Sequence, residues 1–208
     1  MSAAPLSLPP EAFAKQNPSD DALFYRPARL VQHLDDGARA ALMGRYSEML
    51  TPGADVLDMM SSWVSHLPSD LPLGEVVGHG MNGEKLAANT RLTEWWVQDL
   101  NADPVLPVED ASFDAALCCV GVQYLQHPVA VFGEVRRVLR PEGRVVASFS
   151  NRCFPTKAVA AWLALDMAGP AALVAAYLQE GGFAEVETHI LAAGRAGDPL
   201  VALEGRAA

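Results

Sequence analysis

An acid at the end of a short apolar run is the clearest chemical feature of this sequence. Val56 and Leu57 precede Asp58 in the string D-V-L-D-M-M-S-S-W-V-S-H-L-P, and a polar loop follows. The apolar pair predicts a short buried strand. Ligands of open α/β sheets bind beyond the carboxyl ends of the strands, so we expect Asp58 at a binding edge. A carboxylate there favours a bound cation, whereas its alternative role is to cap a helix or anchor the loop.

Polar residues also follow three later apolar runs. They are Asp99 after W-W-V-Q, Gln123, Tyr124 and His127 after S-F-D-A-A-L-C-C-V, and Asn151 with Arg152 after R-V-V-A-S-F-S. Tyr124, His127 and Asn151 are the candidates for catalysis, with Tyr124 orienting an acceptor or acting as a base. The alternatives are a core tyrosine with a bonded hydroxyl, a helix-cap histidine and a loop hydrogen bond. Asp99 is either a hydrogen-bond acceptor for a ligand or the start of an Asx turn.

Alternating strands and helices must place these residues. The predicted strands cover 54–59, 74–78, 94–97, 112–120, 144–149, 186–191 and 200–203, the last two as a hairpin. Helices are predicted over 38–50, 84–88, a stretch that includes 131–139, and two pieces of 158–179, with a turn at 140–143. This order predicts an α/β fold with a mostly parallel seven-stranded sheet, a terminal antiparallel hairpin and helices on both faces.

The chain of 208 residues is long enough for one domain with a sizeable core. Residues 1–20 are predicted to be a flexible N-terminal arm and 21–208 a single domain. Within that domain, 22–50 form an N-terminal lid and helix region, in which Tyr25, Arg26 and His33 are expected over the site. No internal repeat or interdomain linker is visible in the sequence.

Composition restricts the classes of partner. The formal net charge of −10 argues against nucleic acid and anionic membranes, which require basic patches. No apolar run approaches the roughly 20 residues of a membrane span. Cys118, Cys119 and Cys153 fit neither a disulfide framework nor a zinc site, so we expect reduced thiols and no metal. With an N-terminal stretch unlike a secretory signal, these features predict a cytoplasmic protein that acts on a small molecule; they do not predict its oligomeric state.

Five stretches in register resemble the class I S-adenosylmethionine-dependent methyltransferases, in particular the type 11 small-molecule group. V-L-D-M-M-S-S is similar to that family's V-L-D-x-G-x-G, and V-V-G-H-G-M-N to its second-strand region. The other three are V-Q-D-L-N-A-D-P-V-L-P-V-E-D-A-S-F-D, E-V-R-R-V-L-R-P-E-G-R-V and G-G-F-A-E-V-E. The resemblance covers about residues 38–205 and implies the Rossmann-like methyltransferase fold.

The resemblance implies S-adenosylmethionine as the cofactor and methyl transfer to a small acceptor. It assigns Asp99 to the adenine amino group and Leu100 to the adenine ring. The complete set expected at the cofactor is Asp58, Met59, Met60, Ser61, Ser62, Trp63, Gly80, Met81, Asn82, Asp99, Leu100 and Val120. Trp63 either covers the methionine end of the cofactor or fills the core.

Two departures mark a divergent subgroup. The glycines of the cofactor loop are absent around Met60, Ser61 and Ser62, where only the serine hydroxyls replace exposed backbone amides. Gly80 stands where the family places an acid that binds the ribose, and the Asn82 amide would be a weaker substitute. The rival hypothesis is therefore a non-catalytic binding or regulatory protein with a weakened cofactor site.

A third hypothesis is a dinucleotide-dependent oxidoreductase, because the string Gly78-x-Gly80-x-x-Gly83 matches a dinucleotide-binding fingerprint. That fingerprint should open the first strand of a nucleotide-binding unit. Here it follows the second predicted strand and precedes only a short helix. The sequence therefore disfavours a dinucleotide-dependent oxidoreductase.

Overall fold

A seven-stranded sheet forms the centre of the computed structural model, which describes residues 8–166 and 169–207. Its strands are β1 (Val56–Met59), β2 (Val76–Gly80), β3 (Glu94–Val97), β4 (Phe113–Cys119), β5 (Leu139–Phe149), β6 (Phe183–Ala192) and β7 (Leu200–Ala207). They lie in the order β3-β2-β1-β4-β5-β7-β6. The first five strands pair in parallel, and β7 pairs antiparallel with both β5 and β6. The predicted parallel sheet with a terminal antiparallel hairpin is confirmed.

Six α-helices accompany the sheet in the described ranges. They are α1 (Asp21–Tyr25), α2 (Asp36–Met49), α3 (Gly83–Ala87), α4 (Pro128–Val138), α5 (Ala160–Leu163) and α6 (Gly169–Glu180). The Asp35 carboxylate caps α2 by accepting from the Ala38 amide at 2.8 Å. Proline at the first position begins α4, where the missing amide is not needed. None of the described helices is long and apolar enough to cross a membrane.

Side chains of successive strand residues alternate between two apolar cores. Val56 packs with Leu42 and Tyr46 of α2 on one face of the sheet. Leu57 packs with Phe132 of α4 and with apolar residues of α6 on the other face. This period-two alternation, with helices covering each face, explains why the strands read as nearly continuous apolar runs.

Two local features differ from the predicted elements. Residues 140–143 were expected as a turn before the fifth strand, but β5 already begins at Leu139. A bulge accommodates the segment, since the register with β4 shifts and Glu142 has a φ of 68°. The connection from β1 to β2 (residues 60–75) contains no helix, because Pro68, Pro72 and several serines disfavour one.

The N-terminal segment packs against the body of the protein at Phe13, whose side chain contacts the core and whose carbonyl accepts from Gln126 Nε2 at 3.0 Å. Lys15 forms a β-bridge with Val159, and its ammonium pairs with Asp21. Asp21 also pairs at 2.9 Å with the fully buried Lys157, whose Nζ donates to the Ser19 carbonyl at 2.6 Å. These paired charges hold residues 15–21 on the domain. Residues 1–7 of the predicted arm lie outside the described residues, and its boundary at residue 20 stays a prediction.

The loop after β1 lies directly across the end of β2. The Ser61 amide donates to the His79 carbonyl at 2.6 Å. A Cβ atom at Gly80 would lie 2.6 Å from the Ser61 carbonyl oxygen, which is well inside van der Waals contact. Gly80 is therefore required by the close approach of two backbones, and an acid at this position would displace the loop.

We expect Gly80→Ala to lower the free energy of unfolding by about 1–3 kcal/mol, because the new methyl group forces the loop away from β2. Urea unfolding followed by circular dichroism measures the change. Gly44→Ala is the matched control, since Gly44 lies exposed in α2 with nothing within 4 Å of its Cβ position. The control should gain about 0.5–1 kcal/mol from helix propensity. Equal effects in the two variants would contradict the packing of the loop on Gly80.

Candidate active site

A pocket opens at the carboxyl ends of β1, β2 and β4, beneath residues 21–34, which we name the cover segment. Eleven of the predicted site residues line it. They are Asp58, Met59, Met60, Ser61, Ser62, Met81, Asn82, Asp99, Leu100, Val120 and Tyr124. Tyr25 and His33 of the cover segment also line the pocket. The topology thus brings the polar ends of separate strands to one edge of the sheet, where open α/β folds bind ligands.

Asp58 is a buried carboxylate at the floor of the pocket. It accepts a hydrogen bond from the Ser61 hydroxyl at 2.6 Å, and the Ser65 hydroxyl is a second partner. Burial raises its pKa to about 6, while the two serine hydroxyls oppose that rise by stabilising the ionised form. Asp58 is therefore a negative charge at neutral pH in a weakly solvated position, which attracts a cation.

Two residues at the ends of β1 and β4 adopt the left-handed backbone conformation. Met60 has a φ of 54° and Val120 a φ of 46°, and this conformation is strained for side chains other than glycine, above all for β-branched ones. Met60 occupies the first glycine position of the resembling loop, so the loop keeps the glycine conformation without the glycine. Gly121 permits this arrangement, because a Cβ there would lie 2.9 Å from the Met60 Cβ.

His79 supports the strained loop and is a pocket residue that the sequence reasoning missed. Its Nδ1 accepts from the Met60 amide at 3.1 Å, and its Nε2 lies 3.1 Å from the Gln98 carbonyl oxygen. These partners require the neutral tautomer with hydrogen on Nε2. Burial lowers the pKa of His79 to about 4, consistent with that neutral form. The signal available in the sequence was a polar ring inside the otherwise apolar β2.

Asn82 holds the cover segment and has no free amide hydrogen for a ligand. Its Nδ2 donates to the carbonyls of Tyr25 at 3.0 Å and Arg26 at 2.9 Å. Its Oδ1 accepts from the Lys85 amide at 3.0 Å and so caps α3. The amide that was expected to replace the missing acid at the ribose therefore binds backbone instead.

Asp99 and Leu100 follow β3 and line the pocket together. Asp99 Oδ1 accepts from the Asn101 amide at 2.9 Å, which forms the Asx turn that was the alternative to a role in ligand binding. Within the described part of the chain, Asp99 Oδ2 has no hydrogen bond from another residue, so it remains available as an acceptor. Leu100 is buried beside it and supplies an apolar wall.

Tyr124 lies in the pocket, within an aromatic cluster. Its hydroxyl oxygen accepts from the Phe154 amide at 2.9 Å, and its ring lies 6.2 Å from the Phe154 ring and 6.5 Å from the Tyr25 ring. Burial raises the pKa of Tyr124 to about 12. The phenol therefore keeps its proton at neutral pH and can donate a hydrogen bond, but it is a poor general base.

Arg152 also lines the pocket and pairs with Asp198 at 2.8 Å, whereas four other predicted site residues lie outside the pocket. Trp63 donates from Nε1 to the Val31 carbonyl at 3.0 Å and so contacts the cover segment, but it does not line the pocket. Gly80 lies behind the β1 loop. His127 is exposed at the start of α4, and Asn151 is exposed with its amide oxygen bound to the Ser150 hydroxyl at 3.2 Å. In the described ranges, no three or more His, Cys, Asp or Glu side chains are grouped to hold a metal ion.

His79→Gln should lower the free energy of unfolding by about 1–3 kcal/mol at pH 7, because the partly buried Met60 amide loses its hydrogen bond to the ring. The substitution should also change how the free energy of unfolding depends on pH. A folded pKa of about 4 lies below the ordinary 6.5, so the stabilisation is full above pH 6.5 and is lost as the pH falls toward 4. Near pH 5 the variant should take up about one proton fewer on unfolding.

Urea unfolding at several pH values between 4.5 and 7.5 measures the slope of the free energy of unfolding against pH. His127→Gln serves as the control, since His127 is exposed and its side chain does not cap α4. A slope for His79→Gln equal to that of the unmodified protein would refute the buried neutral histidine.

Comparison with known proteins agrees with this geometry. Residues 64–147 match the family described as "Methyltransferase domain". Malonyl-[acyl-carrier protein] O-methyltransferase of Hahella chejuensis is 33% identical over 102 residues, an alignment that covers 45% of this chain and 36% of that protein. The chain thus matches little more than a third of the length of this curated relative.

Solved structures extend the likeness to almost the whole chain. A chain of the Haloferax volcanii complex between the Trm112 methyltransferase activator and a methyltransferase is 17% identical, with a TM-score of 0.61 over 83% of this chain and 90% of its own. An S-adenosylmethionine-dependent methyltransferase from Aquifex aeolicus is 15% identical, with a TM-score of 0.59 over 97% and 100%.

At these identities the structures show the fold. The strand order and the position of the pocket agree with that fold, and so does the family match of residues 64–147. The chain has the class I S-adenosylmethionine-dependent methyltransferase fold, and its residues 64–147 match the methyltransferase domain family.

Proposed function

We propose that this protein is an S-adenosylmethionine-dependent methyltransferase that acts on a small-molecule acceptor. One observation carries the proposal. Two carboxylates assigned to the cofactor by resemblance, Asp58 and Asp99, come from different strands and line one pocket at the carboxyl edge of the sheet. In this proposal the Asp58 carboxylate attracts the cationic group of the cofactor, and the Asp99 carboxylate accepts from its exocyclic amine.

The residues present fit the cofactor at two of its three recognition points. Asp58 offers a buried negative charge to its cationic end. Asp99 and Leu100 offer an acceptor and an apolar wall to the adenine. The ribose edge lacks a carboxylate, because Gly80 packs against the Ser61 carbonyl and Asn82 binds the cover segment. We therefore expect binding that is weaker than in a site with a ribose-binding acid.

S-adenosylmethionine supplies a methyl group on a positively charged sulfur, which leaves as a neutral thioether when the acceptor bonds to the methyl carbon. The protein's contribution is to position the acceptor and to exclude water. The rings of Tyr25, Tyr124 and Phe154 form an apolar cover on the pocket. Because Tyr124 keeps its proton, it orients an acceptor atom by donating a hydrogen bond. An acceptor that is already nucleophilic at neutral pH suits this pocket best.

The second candidate function is ligand binding without turnover. The observation that favours it is the lost ribose acid, since Gly80 and the β1 loop exclude a side chain there. A regulatory protein with this fold would bind the product S-adenosylhomocysteine as well as S-adenosylmethionine and would transfer no methyl group. Turnover in the presence of a panel of small nucleophiles separates the two functions.

Calorimetric titration with S-adenosylmethionine and S-adenosylhomocysteine is the direct test of the cofactor. Asp99→Ala should weaken both affinities by about 10- to 100-fold, as expected for the loss of a hydrogen bond to a charged group. Asp103→Ala is the matched control, because Asp103 also accepts a backbone amide, that of Val105 at 3.0 Å, but lies outside the pocket. No binding at millimolar ligand would reject the enzyme, and unchanged affinity in Asp99→Ala would reject the adenine placement.

Asp58→Asn should separate stability from binding. The folded-state pKa of about 6 lies above the usual 3.8, so the carboxyl favours folding below pH 3.8, and that contribution is lost as the pH rises through 6. At pH 8 the buried charge is present at full cost, and its removal should raise the free energy of unfolding by about 1–3 kcal/mol.

The same substitution should weaken S-adenosylmethionine binding, because the negative charge that attracts the cation is gone. In the unmodified protein the affinity should rise between pH 5 and 7 as Asp58 ionises, and in Asp58→Asn that rise should be absent. Thermal unfolding and titration at pH 5, 6, 7 and 8 measure the two effects. A variant that binds as tightly as the original, with the same pH profile, would exclude Asp58 from the cofactor site.

A further inference from the structure

Two cations at the mouth of the pocket have no acidic partner. Arg29 of the cover segment and Lys85 of α3 both line the pocket. Among the described residues, no carboxylate lies within ion-pair distance of either. The protein carries a net charge of −10, so acidic groups outnumber basic ones. Two cations without an ion-pair partner nevertheless line its pocket, with Lys85 half-buried and Arg29 exposed at the surface.

The two cations lie close enough to repel each other. Burial lowers the pKa of Lys85, and the Arg29 charge lowers it further. The Lys85 charge acts in the same direction on His33, whose pKa burial also lowers. The effect of Arg29 on Lys85 is repulsive, and no carboxylate offsets it. An anion between these side chains would relieve the repulsion.

None of the three acids that line the pocket forms an ion pair with Arg29 or Lys85. Asp21 pairs with Lys15 and Lys157. Asp58 lies on the floor with two serine hydroxyls, and Asp99 lies in its Asx turn. The pocket therefore has negative charge at its floor and uncompensated positive charge at its mouth. A ligand set that matches this polarity has a cation below and an anion above.

The backbone keeps the two cations together. Asn82, the residue that caps α3, binds the carbonyls of Tyr25 and Arg26, so the cover segment stays beside the helix that carries Lys85. The Arg29 guanidinium lies 5.2 Å from the centre of the Phe24 ring, a cation–π contact that restricts its position. The Asn82 contacts that hold the cover segment beside α3 do not involve the two charges.

We propose that Arg29 and Lys85 form an anion subsite that binds a carboxylate or phosphate group of the methyl acceptor. The assignment to the acceptor rests on the proposed function. It is supported by His33, which lines the same pocket and packs 5.6 Å from Phe154, and by Phe154, which packs against Tyr124 after the end of β4. Arginine binds such an anion with two parallel hydrogen bonds, and lysine adds a point charge.

The test uses inorganic phosphate and succinate as probes, titrated separately at constant ionic strength, with and without saturating S-adenosylhomocysteine. We expect a millimolar Kd for one probe, which identifies the anion as phosphate or carboxylate. Arg29→Gln with Lys85→Gln should weaken that binding at least tenfold, whereas Lys85→Arg should retain it. Arg26→Gln is the matched control, because Arg26 lies three residues before Arg29, exposed and outside the pocket lining.

Each outcome decides a different claim. Unchanged affinity in the double variant, or an equal loss in Arg26→Gln, overturns the subsite. Loss of probe binding when S-adenosylhomocysteine is added overturns the assignment to the acceptor, since the anion would then occupy cofactor space. Failure of S-adenosylhomocysteine to bind, with the probe still dependent on Arg29 and Lys85, rejects the proposed function and leaves the anion subsite standing. Unchanged circular dichroism spectra show that the variants are folded.

Discussion

The close approach of the β1 loop to the end of β2 is the constraint on which the pocket depends. The Ser61 carbonyl lies where a side chain at Gly80 would be, and the Met60 and Ser61 amides bind the His79 ring and carbonyl. The missing loop glycines and the missing ribose acid are therefore one structural feature rather than two independent losses. A buried histidine holds the loop, and this contact allows Met60 to keep a strained backbone conformation that glycine would adopt without strain.

The cover segment completes the pocket through contacts far apart in the sequence. Asp21 bridges Lys15 and Lys157, while Asn82 and Trp63 bind backbone carbonyls of the segment. Buried ion pairs of this kind contribute little net stability, but breaking one leaves an uncompensated charge and is costly. Their arrangement therefore favours one position of the segment over the site. That position brings Tyr25 to Tyr124 and Arg29 to Lys85.

Charge is distributed along the depth of the pocket in a way that opposes stability and serves binding. Asp58 raises the free energy of the folded protein at neutral pH, because it is ionised and poorly solvated. Arg29 and Lys85 repel each other at the mouth. Ligands of the opposite charges would remove both costs, so the pocket is expected to gain stability when it is filled. Such local destabilisation is typical of functional sites.

The sequence by itself determined the fold and the two carboxylates at the sheet edge. Hydrophobic period and strand order are local patterns, and they predicted the parallel sheet, the terminal hairpin, and Asp58 and Asp99 at strand ends. Only the tertiary structure decided which neighbours reach the pocket. His79 supports the loop, and the Asn82 amide donates to carbonyls of the cover segment. Trp63, His127 and Asn151 lie outside the pocket. The physical reason is that side-chain direction and hydrogen-bond partners depend on chains packed across space, whereas a pattern in sequence fixes only the position of a residue along its own element.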